Sequence, residues 1–200
     1  MKRTILIVVG IVALLVVLLI GKVVGTYNGL VKLNQEVEGQ WAQVENVYQR
    51  RADLVPNLVA TVKGAASHER ETFQAVTDAR SKVGQMNLGP EVYNDPQKLQ
   101  QFQASQDQLS SALSRLLVVA ENYPQLKANE NFLALQSQLE GTENRISVER
   151  MRFNEASKAF NTERQSFPTV MIANMFGEQF ETKAYFQAQA GAETAPKVEF

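Results

Sequence analysis

Residues 5–20 read ILIVVGIVALLVVLLI, without one polar side chain, and Thr4 and residues 21–24 extend the run. About 20 such residues in a helix cross roughly 30 Å of hydrocarbon. A helix apolar on every face needs lipid around it, or a far larger protein than this one. A cleaved signal peptide usually has an apolar region of about 7–15 residues and a small-x-small site. The only candidates here, around Val23-Val24-Gly25, fit poorly. Residues 1–26 are therefore expected to be a transmembrane anchor, with residues 5–24 in contact with lipid.

From Tyr27 the pattern changes to a stripe. Tyr27, Leu30, Asn34, Val37, Trp41, Val44, Tyr48, Arg51, Val55, Leu58, Val62, Ala65, Glu69, Thr72, Val76, Ala79 and Val83 recur at spacings of three and four. That is the period of a helix burying one face. An unbroken helix from Ile5 to Val83 would be about 120 Å long. Pro56 falls inside it and offers no N–H to the carbonyl of Ala52, so a kink is expected there.

Residues 84–96 are rich in turn formers and end with Asp95 as an N-cap and Pro96 at the first helical position. The second helix buries Leu99, Phe102, Gln106, Leu109, Leu113, Leu116, Ala120 and Tyr123 and stops before Pro124. The third starts near Asn129 and carries Phe132, Leu135, Leu139, Thr142, Ile146, Glu149, Phe153, Ala156 and Phe160. A shorter amphipathic segment follows Pro168, and no stretch has a strand's period of two.

The predicted fold class is all-α: an N-terminal transmembrane helix continuing into a long antiparallel helical bundle of three long helices plus a short C-terminal helix. The bundle domain spans 27–186, and the small, polar residues 187–200 are expected to be a disordered tail. Three helices running out, back and out again would leave Phe167 far from the lipid. The segment from Val170 to Phe186 would then dock on its own bundle or on a neighbouring subunit.

Charge narrows the class of partner. Apart from Lys2, Arg3 and Lys22 beside the apolar run, 17 basic residues face 21 acidic ones, a net −4. That balance argues against nucleic acid. Lys2 and Arg3 precede the anchor, whereas Lys22 is followed only by Lys32 before Glu36 and Glu38. The bias places the N-terminus in the cytoplasm and the helical domain outside it. The chain has no cysteine, which excludes disulfides and thiolate metal sites.

Further along, Tyr48-Gln49-Arg50-Arg51-Ala52-Asp53-Leu54-Val55-Pro56-Asn57-Leu58-Val59, then Thr61-Val62-Lys63-Gly64 and His68-Glu69, resemble the signature of the LemA family. The resemblance extends to Tyr27-Asn28, Trp41, Tyr123-Pro124, Lys127-Ala128, Phe132, Leu135-Gln136, Thr142-Glu143, Arg150, Asn154, Asn161 and Phe167-Pro168. It implies a bacterial membrane protein with one N-terminal transmembrane helix and a helical bundle domain. It implies no biochemical activity.

The residues themselves point away from catalysis. A di-iron bundle needs two Glu-x-x-His pairs, and His68 is the single histidine. Its neighbour Ser67 points elsewhere on a helix, so no nucleophile relay forms. Glu143 and Glu149, six residues apart, do not share a helix face. No catalytic residue, metal or cofactor is expected.

The polar interruptions Arg51, Glu149, Asn34 and Gln106 read best as a structural polar core that sets helix register. Arg50 and Asp53 form either a partner-binding patch or a solvated turn. Ile172, Met175, Phe176 and Phe180 belong to a segment expected to dock on the bundle, the alternatives being insertion into the membrane or capture of a neighbouring subunit. The chain is thus expected to be a self-associating, non-catalytic scaffold of the bacterial cytoplasmic (inner) membrane, single-pass, holding lipid and another membrane protein. The alternative is an accessory subunit in envelope signalling that binds a membrane enzyme or sensor.

Overall fold

The computed structural model describes residues 2–66 and 68–188. They form α1 (Lys2–Ala65), α2 (Arg70–Gly84), α3 (Pro90–Asn94), α4 (Pro96–Glu121), α5 (Pro124–Lys127), α6 (Glu130–Gln165) and α7 (Thr169–Met175), then a 3-10 turn at Gly177–Phe180. Among the described residues there is no strand. The expected disordered tail lies outside the described residues, except Gln187 and Ala188, which end a segment without regular secondary structure that starts at Glu181.

α1 is the spine. Its first part is the one described helix long and apolar enough to cross a membrane, and none of its most apolar window is buried by the rest of the chain. Beyond it, Leu30, Val37, Trp41, Val44, Tyr48, Arg51, Val55, Leu58 and Val62 are buried along the predicted stripe. Pro56 does not interrupt the helix. The Ala52 carbonyl that it leaves without a backbone donor accepts a hydrogen bond from Arg80 Nε of α2 at 3.1 Å.

The helix does not continue to Val83 as expected. It ends at Ala65, and Glu69 N–H donates to the Ala66 carbonyl in a turn that leads into α2. A straight continuation would have buried Glu69 and Thr72. The turn buries Phe73 of α2 in their place, beside Val76 and Ala79, which the stripe had included. It leaves Glu69 half-buried, accepting from the Tyr123 hydroxyl at 3.2 Å. Arg80 beside Ala52 shows that α2 runs back along α1.

That turn adds a pass to the chain. α4 opens with the predicted cap, Asp95 accepting from Gln97 and Lys98 N–H, and runs in the direction of α1, placing Phe102 against Trp41 and Gln106 against Arg51. α6, capped by Asn129, returns antiparallel to α1: Arg51 meets Glu143 and Trp41 meets Phe153. The expectation that the chain ends far from the anchor is therefore corrected. An even number of passes brings α7 back onto Tyr27, whose ring lies 4.8 Å from that of Phe176.

The interior divides into two parts. Nearest the anchor it is aromatic, with Trp41, Tyr48, Tyr93, Phe102, Phe153, Phe160, Phe180 and Phe186. The far part is aliphatic, built around Val55, Leu58, Val62, Val76, Leu109, Leu113, Leu116 and Leu139. Each of these larger side chains contributes about 1.5–3 kcal/mol by leaving water.

Candidate functional site

Arg51 lies at the boundary between the two cores and is 2 % exposed. Its Nη1 donates to Ser110 Oγ at 2.6 Å and to Glu143 Oε1 at 2.8 Å; Nη2 donates to the carbonyl and side-chain oxygens of Gln106. The guanidinium also stands 5.1 Å from the centre of the Tyr48 ring. Burial raises the Tyr48 hydroxyl pKa above its usual value, against the pull of Arg150 and Arg51. One residue thus ties α1, α4 and α6 together in a polar layer. Slipping any of these helices by a turn would strand a buried charge, which is how such a layer sets register.

Of the four polar-core residues expected from sequence, the structure brings together two, Arg51 and Gln106. The acid facing Arg51 is Glu143. Glu149 pairs instead with Arg152 on its own helix at 2.9 Å. Asn34 donates to Glu38, also within its helix. Arg50 and Asp53 are exposed, Asp53 accepting from Gln49. His68 is exposed in the turn after α1, not on a helix. Ile172 and Phe180 are buried, whereas Met175 and Phe176 are exposed.

A second arrangement escaped the sequence reading. Residues 181–188 have no regular secondary structure and lie as a strap along α6, their backbone held by side-chain amides. Asn161 Nδ2 donates to the Lys183 carbonyl and its Oδ1 accepts from Lys183 N–H, both at 2.8 Å. Asn154 grips Phe186 in the same two-bond way, at 3.0 and 2.9 Å. Gln103 of α4 does so with Gln187, whose carbonyl also receives Arg150. Seven residues of helix rise about 10.5 Å, and three residues of chain with a polyproline II twist rise about 9 Å and complete one turn, so that the third residue on faces the same way. The spacing of Asn154 and Asn161 therefore matches that of Phe186 and Lys183. Their heptad separation was the available signal.

The strap buries Lys183, 5 % exposed. Its Nζ donates to Asn94 Oδ1 at 2.9 Å and lies 4.9 Å from the Phe160 ring centre and 5.4 Å from that of Tyr93. Burial lowers its pKa to about 8, opposed by Glu38 and Glu181. An open groove of about 870 Å³ runs beside the strap, lined by Gln100, Gln103, Asp107, Gln165 and Lys183 among others. Its lining mixes amides with one carboxylate, one ammonium and small apolar side chains. Among the described residues no three His, Asp or Glu side chains converge.

The fold defines an all-helical protein with one apolar N-terminal helix running into a bundle. A profile of the LemA family matches residues 40–200, which takes in most of the bundle, the Arg51 layer and the strap, and the chain belongs to that family. It is 24% identical to Magnetosome protein MamQ 2 of Paramagnetospirillum magneticum over 90% of this chain and 71% of that protein. It is 22% identical to Magnetosome protein MamQ of Magnetospirillum gryphiswaldense over 84% and 67%. Protein LemA of Metamycoplasma hominis is 24% identical over 75% of this chain and 64% of its own length. None of these names states a reaction.

Proposed function

We propose that the chain is a single-pass, non-catalytic scaffold of the bacterial envelope whose bundle self-associates and presents the strap-bearing face to a membrane partner. One observation carries the reading: α1 passes unbroken from an apolar segment with no protein around it into the core of the bundle. A bundle built on the same helix as its anchor is held at a set height and tilt. That is a mechanical arrangement, and the buried charges within it go to helix register and strap binding. The Arg51 layer is closed among its own partners, and the clamp amides of Gln103 and Asn161 that border the strap-side groove are already bonded to strap backbone.

The test is the size of the full-length protein in detergent beside a shortened chain beginning at Tyr27. Oligomers in both assign assembly to the bundle; oligomers of the full-length chain alone assign it to the anchor. A monomer at every concentration, with nothing captured by crosslinking, overturns the scaffold. The second reading, an accessory subunit that binds a membrane enzyme or sensor, is favoured by the strap-side groove, whose amides suit an extended peptide. Crosslinks from Gln100 or Gln165 to another membrane protein, with a monomeric chain, would select it.

A further inference from the structure

We infer that the turn and helix that close the bundle, residues 167–176, form a second membrane contact that dips into the headgroup layer beside the anchor. The inference rests on the reading of residues 5–24 as the membrane span.

Phe167, Met171 and Met175 are 82 %, 61 % and 76 % exposed, and Phe176 is 40 % exposed. They cluster within one short stretch, and Thr169–Met175 carries no charged side chain. Met171 and Met175, one turn apart, share the outer face of α7, while Ile172 and Ala173 face inward. The stretch is held in place. Arg164 donates to the Phe180 carbonyl and to Asn174, the Thr169 hydroxyl bonds Glu163, and Gln179 donates to the Tyr27 hydroxyl at 3.0 Å. The Tyr27 ring packs on both Phe176 and Phe180.

Height along α1 identifies the occupant. A hydrocarbon core of about 30 Å takes up some 20 helical residues, which runs from Ile5 to Val24. Tyr27 then stands about 4.5 Å beyond it, in the headgroup layer where tyrosine is favoured. The antiparallel register set by Arg51 with Glu143 and Trp41 with Phe153, continued along the two helices, brings Phe167 level with Tyr27. Glu163, a turn earlier, borders the same groove as Gly25, Thr26 and Gly29. The exposed phenylalanine and methionines are thus at headgroup depth without any movement of the fold. Apolar side chains there are covered by acyl chains, as on an interfacial helix. Lipid is already present at this height wherever the anchor is inserted, whereas a second copy would have to bring a matching surface.

Absence of native cysteine makes the test direct. Phe167→Cys, Met171→Cys and Met175→Cys, made one at a time in the full chain, are given a nitroxide label. Each is reconstituted in vesicles of phosphatidylcholine with a minority of phosphatidylglycerol. Leu14→Cys reports on the anchor, and Met151→Cys, roughly 24 Å farther along α6, reports on the exposed bundle. The expected result is that labels at 167, 171 and 175 collide severalfold more with lipid-dissolved oxygen, relative to a water-soluble nickel chelate, than the label at 151. A water-like ratio at all three, with a lipid-like ratio at 14, overturns the second contact alone. A water-like ratio at 14 overturns the anchor reading. Shielding from both reagents with spin–spin broadening assigns the surface to a second copy and also overturns the inference.

Discussion

At the scale of single residues, the bundle spends its polar contacts on backbone that would otherwise be orphaned. Pro56 removes the donor for Ala52 O, and Arg80 supplies one from another helix. Arg80→Leu is expected to cost about 0.5–1.5 kcal/mol, the net worth of one such bond. In a Pro56→Ala background, where the substituted alanine brings an N–H that restores the helical bond, the same change should cost clearly less. Denaturant midpoints of the four proteins close the cycle; equal costs in both backgrounds would disconnect Arg80 from the proline.

Lys183 makes a prediction of opposite sign. Its pKa is about 8 in the folded chain against the ordinary 10.5, so between those values the unfolded state holds more protons. Stability should therefore rise as pH climbs from about 8. Above about 10 the trend should reverse, because burial, reinforced by Glu38, Glu45 and Glu91, pushes the Tyr93 hydroxyl to about 12. Lys183→Met removes the buried ammonium and should stabilise the protein at pH 7 by about 1–3 kcal/mol while flattening the rise above pH 8. Unfolding midpoints across pH 6–11 test both. A loss of stability at pH 7 would mean that the Asn94 bond and the two rings outweigh the desolvation.

At the scale of elements, the stripe in α1, the caps at Asp95 and Asn129 and the stop at Pro124 were legible in the sequence because each is a local effect. Periodicity and capping act within one helix. The turn at Ala66–Glu69 was less legible, since three-and-four spacing survives a four-residue break. Its trace was the poor fit of Glu69 and Thr72, set against an unassigned Phe73. The partner of Arg51 was hidden for a different reason: which of Glu143 and Glu149 faces it depends on the azimuth of α6, which only packing sets. The strap was hidden because its spacing rule joins two different periods on two segments. That rule is testable. Asn161→Ala leaves Lys183 N–H and C=O without their side-chain partner, and Asn154→Ala does the same at Phe186. Each is expected to cost about 1–3 kcal/mol. Their combined effect should fall short of the sum, because once one clamp is lost the strap peels and the second holds little. Hydrogen exchange at residues 183–187 should rise severalfold in either variant while α1 stays protected; unchanged exchange would mean that Phe186 and its aromatic neighbours hold the strap without the amides.

At the scale of the molecule, everything hangs from one helix, so orientation in the membrane follows from the few charges at its ends. Lys2 and Arg3 stand on one side of the apolar run and Lys22 on the other, with Lys32 a further three turns along and followed by Glu36 and Glu38. Basic residues are retained in the cytoplasm, and acidic ones contribute little to the choice. That bias is expected to keep the first side inside and the bundle, about 62 Å of α1 beyond Val24, outside. The closing segment adds a condition that charge counting alone lacks: Phe167 and the α7 methionines sit on the bundle side at Tyr27, so they meet whichever leaflet the bundle faces. A phosphatase reporter fused after Phe200, active only outside the cytoplasm, should be active, and replacing Lys2 and Arg3 with glutamine should lower that activity. The margin is only one or two charges, so adding a pair of lysines after Lys22 should invert the chain outright and silence the reporter. An inactive fusion of the native sequence, with full activity from a reporter placed before Met1, would put the bundle in the cytoplasm and move its partners to that side.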